Sequence, residues 1–536
     1  MARYLLRVEG VNHANIIDDT DQLSVRRGGG LMLLNLASQL KELLPKHLGA
    51  RLTPIATGAS IALYEWEASD LPDLAASRQE AEMLRSEVAQ FLQRDGKLPY
   101  HKLLADDRLD NATSELPLSH ATFVVDVVRV DDCANEQQAE QLATAANRWR
   151  QLQQPTLSLH DIWQAGNAPC ALDRTRVANS RCDLPDNPGA LVSTTCRDRR
   201  EYGRGARQRF YEQELAPAAQ ADERIARLLA SARFTNDLRQ LAEVRREPER
   251  LTGRPGVIPS HLADKLAVFY VDGNKFGAKG RKIFRTQGAE GYRAWSQALR
   301  KHHQFLLQGL LEMADLSPQF WKIDDRYRLE TLLWGGDEIL WIVPAWLGWD
   351  VTRWFFSQHH RVSMGASVHE LTYACGLVFC HAKAPIKNIA ALAHHLGELA
   401  KQARPDRHAL AYEVLESFDD ITGDLAAHRR RFLPADVGLG SLVLDPALLS
   451  AHWTTLTQIA SCRDFPLRQL YMLCTEWRHG RPPDTPERRL KSACDAAKLP
   501  VNEWLASLEK QVGWLHLLQM LPYLPAEDAP KTGDQP

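Results

Sequence analysis

Three carboxylates, in two places, are set out for chemistry. Asp272 follows directly on the apolar run Leu266-Ala267-Val268-Phe269-Tyr270-Val271, and Asp337-Glu338 follows Gly335-Gly336 between the apolar runs 331–334 and 339–343. A buried strand ending in an acid presents it at a sheet edge, and a glycine-led turn between two strands presents its acids to solvent. Oxygen donors in such places suit Mg²⁺ or Mn²⁺, and glycines let a phosphate come close to the backbone. Two acidic strand ends match the demands of metal-assisted phosphoryl or nucleotidyl transfer, in which one ion activates a hydroxyl and a second steadies a triphosphate and its leaving pyrophosphate. The Gly273 carbonyl adds an oxygen, Phe276 is spaced to anchor the loop in the core, and Lys401, ending a helical pattern, would neutralise phosphate charge. Any one of these acids alone reads as an exposed strand end. Their order and combination carry the argument.

The elements that must position them can be read on both sides. Residues 2–9 form a strand pattern, 31–44 a helix, 53–64 a strand, tight turn and strand, 71–92 a helix and 121–128 a strand. This predicts a first palm-like domain over 1–150, built like a catalytic one but without acids at its Gly58 turn. The run Gly28-Gly29-Gly30 before the first helix reads either as an anion-binding turn or as a plain loop. Residues 151–255 are Arg-rich and irregular. Arg197, Arg199, Arg200, Arg204, Arg207 and Arg209 cluster there with Tyr202 and Phe210, a solvated or partner-facing surface before a nucleic-acid contact. Cys170, Cys182 and Cys196 are too widely and unevenly spaced for a compact zinc motif. An unmetallated insert is the simpler reading, and zinc on those three, with His160 or Cys133 as a fourth donor, is the alternative. The second palm spans 256–420, where strand 373–381 leads to Lys383, Pro385 and a helix through Ile389, Leu392, Leu396 and Leu399 to Lys401. Residues 421–536 read as a helical bundle with amphipathic helices at 467–477 and 501–521 and a disordered tail after 526.

Length alone implies several domains. Hydrophobic residues at 44% and charged residues at 25% exclude a disordered or fibrous chain, and a net charge of -2 gives no global case for binding nucleic acid. Nine scattered cysteines, no leader-like amino terminus and no apolar run long enough to span a membrane point to a reducing cytoplasm.

A family resemblance rests on Asp272-Gly273-Asn274-Lys275-Phe276-Gly277, on Gly335-Gly336-Asp337-Glu338, and on Cys375-Gly376 leading to Lys383, Pro385 and Ala400-Lys401. Together they resemble the palm shared by GGDEF-type nucleotide cyclases and by the large polymerase-like subunit of type III CRISPR effector complexes, the second being the closer match. Asp19-Thr20-Asp21-Gln22-Leu23-Ser24, Arg27-Gly28-Gly29 and Gly58-Ala59-Ser60 look like that subunit's inactive first palm, and Cys170 to Cys196 falls where it carries a zinc-binding insert. The resemblance implies an α+β chain with two ferredoxin-like palms (βαββαβ), an inserted linker domain and a helical carboxyl-terminal domain. It implies an enzyme that turns ATP, or another nucleoside triphosphate, into a cyclic oligonucleotide messenger in antiviral defence. By the same implication Asp272, Asp337 and Glu338 are catalytic and hold two Mg²⁺ or Mn²⁺ ions with Gly273. Asn274, Phe276, Gly277, Gly335, Gly336, Lys383 and Lys401 then surround the nucleotide. The implied partners are CRISPR RNA-protein subunits and target RNA, with a homodimer, or the paired palms acting as one, closing the site.

Three departures qualify this. The HD nuclease domain usual in that subunit is not expected, because the first palm begins at the first residues, and with it no DNase activity. Asn274 stands where the family has a second strand-end aspartate, and Glu338 stands where it has Asp. Against a diguanylate cyclase, Arg326-Tyr327-Arg328-Leu329 lacks an Arg-x-x-Asp feedback site. The competing readings are a non-catalytic scaffold of an RNA-guided complex and a diguanylate-cyclase-like enzyme.

Overall fold

The computed structural model describes residues 2–58, 60–68, 74–104, 108–133, 135–153, 166–184, 187–244, 258–416, 424–435, 437–462, 465–481, 484–508 and 510–524. His160 and the tail after 526 lie outside them. The chain is of mixed α and β structure. Its amino-terminal part runs β1 (Ala2–Val11), α1 (Leu23–Leu43), β2 (Leu52–Gly58), β3 (Ile61–Ala68), α2 (Leu74–Gln90), the hairpin β4 (Lys97–Leu103) and β5 (Leu109–Pro117), β6 (Thr122–Arg129) and α3 (Glu136–Leu152). The sheet order β2-β3-β1-β6 is antiparallel throughout. After the small hairpin β7 (Ser180–Leu184) and β8 (Asn187–Val192) comes the long helix α4 (Thr194–Ala221).

The second sheet unit follows as β9 (Lys265–Gly273), α5 (Phe276–Leu316, kinked at Gly288), β10 (Glu330–Gly335), β11 (Glu338–Pro344), α6 (Gly348–Ser357), β12 (Tyr373–His381), α7 (Ile386–Ala403) and β13 (Ala409–Val414). Its order is β10-β11-β9-β12-β13, with β13 added parallel to β12 through the crossover helix α7. Set aside β13 and the two sheets share strand order and βαββαβ connectivity. β9, β11 and β12 are nearly continuous apolar runs because both faces are covered. One face packs beneath α7 through Val268, Tyr270, Leu340, Ile342, Ile389, Ala393 and Leu396, and the other joins the main core through Phe269, Trp341 and Phe379.

Several expectations are corrected. The glycine run does not open a helix. α1 begins at Leu23, and Gly28 lies inside it where a Cβ would come within 2.0 Å of the Arg199 carbonyl of α4, so its purpose is close helix packing, not anion binding. The arginine-rich stretch is not irregular at 194–221. It is the helix α4, and Arg199 and Arg207 are buried in it. The β4–β5 hairpin and β13 had no clear strand signal in the sequence, and the amphipathic stretch 501–521 divides into Val501–Ala506 and Lys510–Met520.

The two sheet units meet through polar contacts, most of them buried. Arg27 of α1 forms a bidentate ion pair, at 2.5 Å, with Glu330 at the start of β10, and each is 1% exposed. Arg207 of α4 lies 3.7 Å from the same carboxylate, and Tyr211 of α4 hydrogen-bonds Thr331 at 3.0 Å. Asp21 accepts from the Lys387 N–H in the first turn of α7 at 3.1 Å. A Cβ on Gly58, at the β2–β3 turn, would stand 3.5 Å from the Gly336 nitrogen.

Beneath the second sheet lies a histidine cluster. His302 of α5 donates from Nε2 to His360 Nδ1 at 3.3 Å, and His360 donates from Nε2 to the Phe355 carbonyl at 2.8 Å. Burial pushes His302 down to about 4 and, with neighbouring histidines adding to it, His303 and His360 down to about 3. Each therefore stays neutral in the fold while the unfolded chain protonates near pH 6.5. That preference contributes stability above the unfolded value and loses it as pH falls. Between pH 7.5 and 5.5 the wild type should lose roughly 1.4 kcal/mol relative to His303→Leu. Denaturant unfolding of both proteins at the two pH values checks this, and a gap that does not move with pH would mean His303 takes up its proton in the fold as readily as in the unfolded chain.

Candidate active site

β9 delivers Asp272 between β11 and β12, with Glu338 directly opposite it on one side and Ala374 on the other. Residues directly opposite in an antiparallel ladder share a face, so the Asp272 and Glu338 side chains both lie on the α7 side. In the β10–β11 hairpin Gly335 pairs with Glu338, leaving Gly336 and Asp337 as the two loop residues. Gly335 has φ 135 and Gly336 φ 64, backbone that L side chains disfavour, which is why this turn needs both glycines. The Asp337 carbonyl accepts from the Gly273 N–H at 2.9 Å and ties the hairpin tip to the end of β9.

α7 brings in the cation. It lies so close to β12 that a Cβ on Gly376 would come within 1.9 Å of the Ala393 carbonyl. At this approach Lys401, in the last turn, reaches the sheet edge and forms an ion pair with Asp272 Oδ2. Burial raises the Asp272 pKa; Lys401 pulls it back, and Glu338 and Glu398 push it up again. Burial lowers Lys401, and the pair with Asp272 more than offsets this. Asp337 is pushed up to about 6, first by burial and then by the Asp272 and Glu338 carboxylates. A third acid thus sits against two others with one lysine among them, and the excess negative charge is what a divalent ion with oxygen ligands would relieve. The donor set fits Mg²⁺ or Mn²⁺ in this respect, although the three acids are not drawn together within 4.8 Å of one another among the described residues.

The other expected nucleotide residues divide. Phe276 is buried against Trp295 and Tyr373 and closes over Gly273, as its spacing requires. Gly277 is exposed in the first turn of α5. Asn274 is buried, and its amide donates to the Arg407 carbonyl at 2.9 Å and the Thr372 hydroxyl at 3.2 Å. An aspartate there would set a carboxylate against a carbonyl, so the asparagine fastens the loop. Lys383 is exposed at the β12–α7 turn, where its N–H bonds His381 Nδ1, and it is not brought to the acids. Sequence reasoning missed Tyr270, whose hydroxyl donates to Glu338 Oε1 at 2.6 Å. Its two-residue offset from Asp272, which places both on one face of β9, was the available signal.

The cysteines are only partly gathered. Sγ of Cys170 and Cys196 and a carboxylate oxygen of Asp173 lie within 4.8 Å of one another, all buried. Cys182 instead accepts from Arg200 at 3.4 Å, and Cys133 packs in a different apolar cluster. The Cys196 thiol donates to Asp173 at 3.0 Å, and Arg199 reaches the same sulfur at 3.3 Å. Arg176 pairs with Asp173 and Asp19, and Arg199 with Asp19. The neighbouring Cys196 sulfhydryl holds Cys170 down to about 6, while the same neighbour and burial raise Cys196 well above the usual thiol range. Two guanidiniums and two carboxylates thus surround the paired sulfurs, and Cys182 is not among the donors gathered there, so the three expected cysteines are not brought to one point.

Residues 265–411 match the family described as Cas10/Cmr2, second palm domain. The match runs from β9 into β13 and includes Asp272, Asp337, Glu338 and Lys401, so the second sheet unit is similar to a Cas10-type palm. A search of curated proteins returns no match. Among solved structures, a chain of the Csm1-Csm4 cassette in complex with cA3 superposes with TM-score 0.51 at 11% identity, over 97% of this chain and 69% of that chain. The cassette in complex with pppApApA gives 0.50 at 11% identity, and in complex with one ATP 0.50 at 10%, each over 97% of this chain and 69% of that one. At such identity the likeness is one of fold.

Proposed function

We propose that this chain is a palm-domain nucleotidyltransferase of the type III CRISPR kind, which converts ATP into a cyclic oligoadenylate or a related cyclic nucleotide. The observation that carries the reading is the convergence of Asp272, Asp337, Glu338 and Lys401 at one edge of a palm that matches Cas10/Cmr2. The fold neighbours add to it, since their cassette is described with ATP, pppApApA and cA3. Asp272, Asp337, Glu338 and the Gly273 carbonyl would hold Mg²⁺ or Mn²⁺, which supply Lewis-acid stabilisation of the attacked phosphate and its leaving pyrophosphate.

The protein's own residues do the rest. The bare backbone at Gly335 and Gly336 admits phosphate oxygens next to the acids, and Lys401, at the same sheet edge, would supply positive charge to the triphosphate. A ribose hydroxyl placed in line with an α-phosphate then displaces pyrophosphate. The amino-terminal sheet unit serves as a second, acid-free palm, and its Gly58 turn against Gly336 makes the single chain a pseudo-dimer around the nucleotide cleft. The domain division of 1–150, 151–255, 256–420 and 421–536 follows from this reading, as does a place beside other CRISPR subunits and target RNA. Incubating the purified protein with ATP and Mg²⁺ or Mn²⁺, alone and with a target-RNA-loaded effector complex, should yield pyrophosphate and cyclic adenylates by mass spectrometry. If neither arm yields product, the chain is a scaffold.

A further inference from the structure

We infer that Tyr270 is a positioning residue that fixes Glu338 as a one-oxygen ligand; the inference rests on the metal-dependent reading above. Three observations carry it. In the ladder Glu338 lies opposite Asp272, while Tyr270 lies opposite Leu340, one diagonal step further into the sheet on the same face. The Tyr270 hydroxyl donates to Glu338 Oε1 at 2.6 Å, so the glutamate leans back from the hairpin tip and keeps Oε2 for whatever sits between it and Asp272.

Finally, the tyrosine itself cannot swing. It is 1% exposed, and its ring lies 5.2 Å from the His394 ring and packs on α7 where a Cβ on Gly397 would come within 2.9 Å of it. The extra methylene of a glutamate would otherwise carry its carboxylate past the point an aspartate reaches and add rotamers to be frozen on binding. A fixed hydroxyl removes both problems. Groups that orient a metal ligand in this way typically change metal affinity when they are lost.

The test measures Mn²⁺ binding to the full chain by calorimetry and electron paramagnetic resonance, without turnover. Tyr270→Phe should weaken Mn²⁺ binding roughly tenfold, within the range usual for such partners. Combining it with Glu338→Asp should restore most of that loss, because the shorter acid needs no tether. A merely structural role predicts no such rescue. If Asp272→Asn abolishes Mn²⁺ binding while Tyr270→Phe changes it less than twofold, this inference is overturned and the metal reading stands. If Asp272→Asn leaves Mn²⁺ binding intact, the metal reading fails and takes this inference with it.

Discussion

Asp337→Asn combined with Glu338→Gln should abolish nucleotide turnover and leave a protein at least as stable as the wild type. The two substitutions keep shape and remove charge. Losing two of the three acids should cost on the order of 4 kcal/mol of transition-state stabilisation, about a thousandfold in rate. The stability half follows from sign. A carboxyl whose folded pKa is raised, here to about 6, is disfavoured by the fold in its ionised form, so its charge at pH 7.5 opposes folding. Neutralising it relieves the repulsion from Asp272 and Glu338. Product analysis by mass spectrometry and a thermal melt on the same samples check both halves. A variant that still makes product would move the chemistry elsewhere, and one that melts well below the wild type would mean the acids hold the fold together.

Glu330→Ala should be the most damaging single change to stability away from the site. It strands the Arg27 guanidinium, 1% exposed, with Arg207 nearby, and breaking a buried pair from one side costs about 3–5 kcal/mol. The double replacement Arg27→Met with Glu330→Leu should recover most of that loss, since an apolar pair of similar volume avoids the desolvation of both charges. Urea midpoints of the three proteins measure it. Because Glu330 begins the strand that ends in Gly335, the single variant should also turn over less nucleotide per folded molecule, and the apolar pair should restore that turnover. Equal midpoints for wild type and Glu330→Ala would sink the claim that this pair joins the two sheet units.

The second sheet unit was legible because its signals are local. Apolar runs bounded by glycine or acid marked β9, β10 and β11, a plain apolar run marked β12, each to within a residue or two, and helical spacing carried α7 to Lys401. What the sequence hid depends on distant partners. The glycines at 28 to 30 look like a turn until α4 presses against them, and Arg199 and Arg207 look solvated until Asp19, Cys196 and the carbonyls of Phe234 and Thr235 are found around them. α4 was missed because buried arginines, two glycines and a proline blur its apolar stripe. Tyr270 reads as one more apolar strand residue, and only the register against β11 discloses its hydroxyl partner. The three cysteines drew attention as a metal set, while Asp173 and two arginines supplied the actual neighbours.

The pair between Arg27 and Glu330 spans 303 residues of chain. At ribosomal rates of roughly 5–20 residues per second, Arg27 is made about 15 to 60 s before the carboxylate that neutralises it. Throughout that interval Arg27 lacks its carboxylate, and until α4 (Thr194–Ala221) has been made the α1 face around Gly28 lacks its packing partner as well. The order of synthesis therefore makes the nascent amino-terminal half the vulnerable form of this protein, the stage at which a chaperone has most to hold.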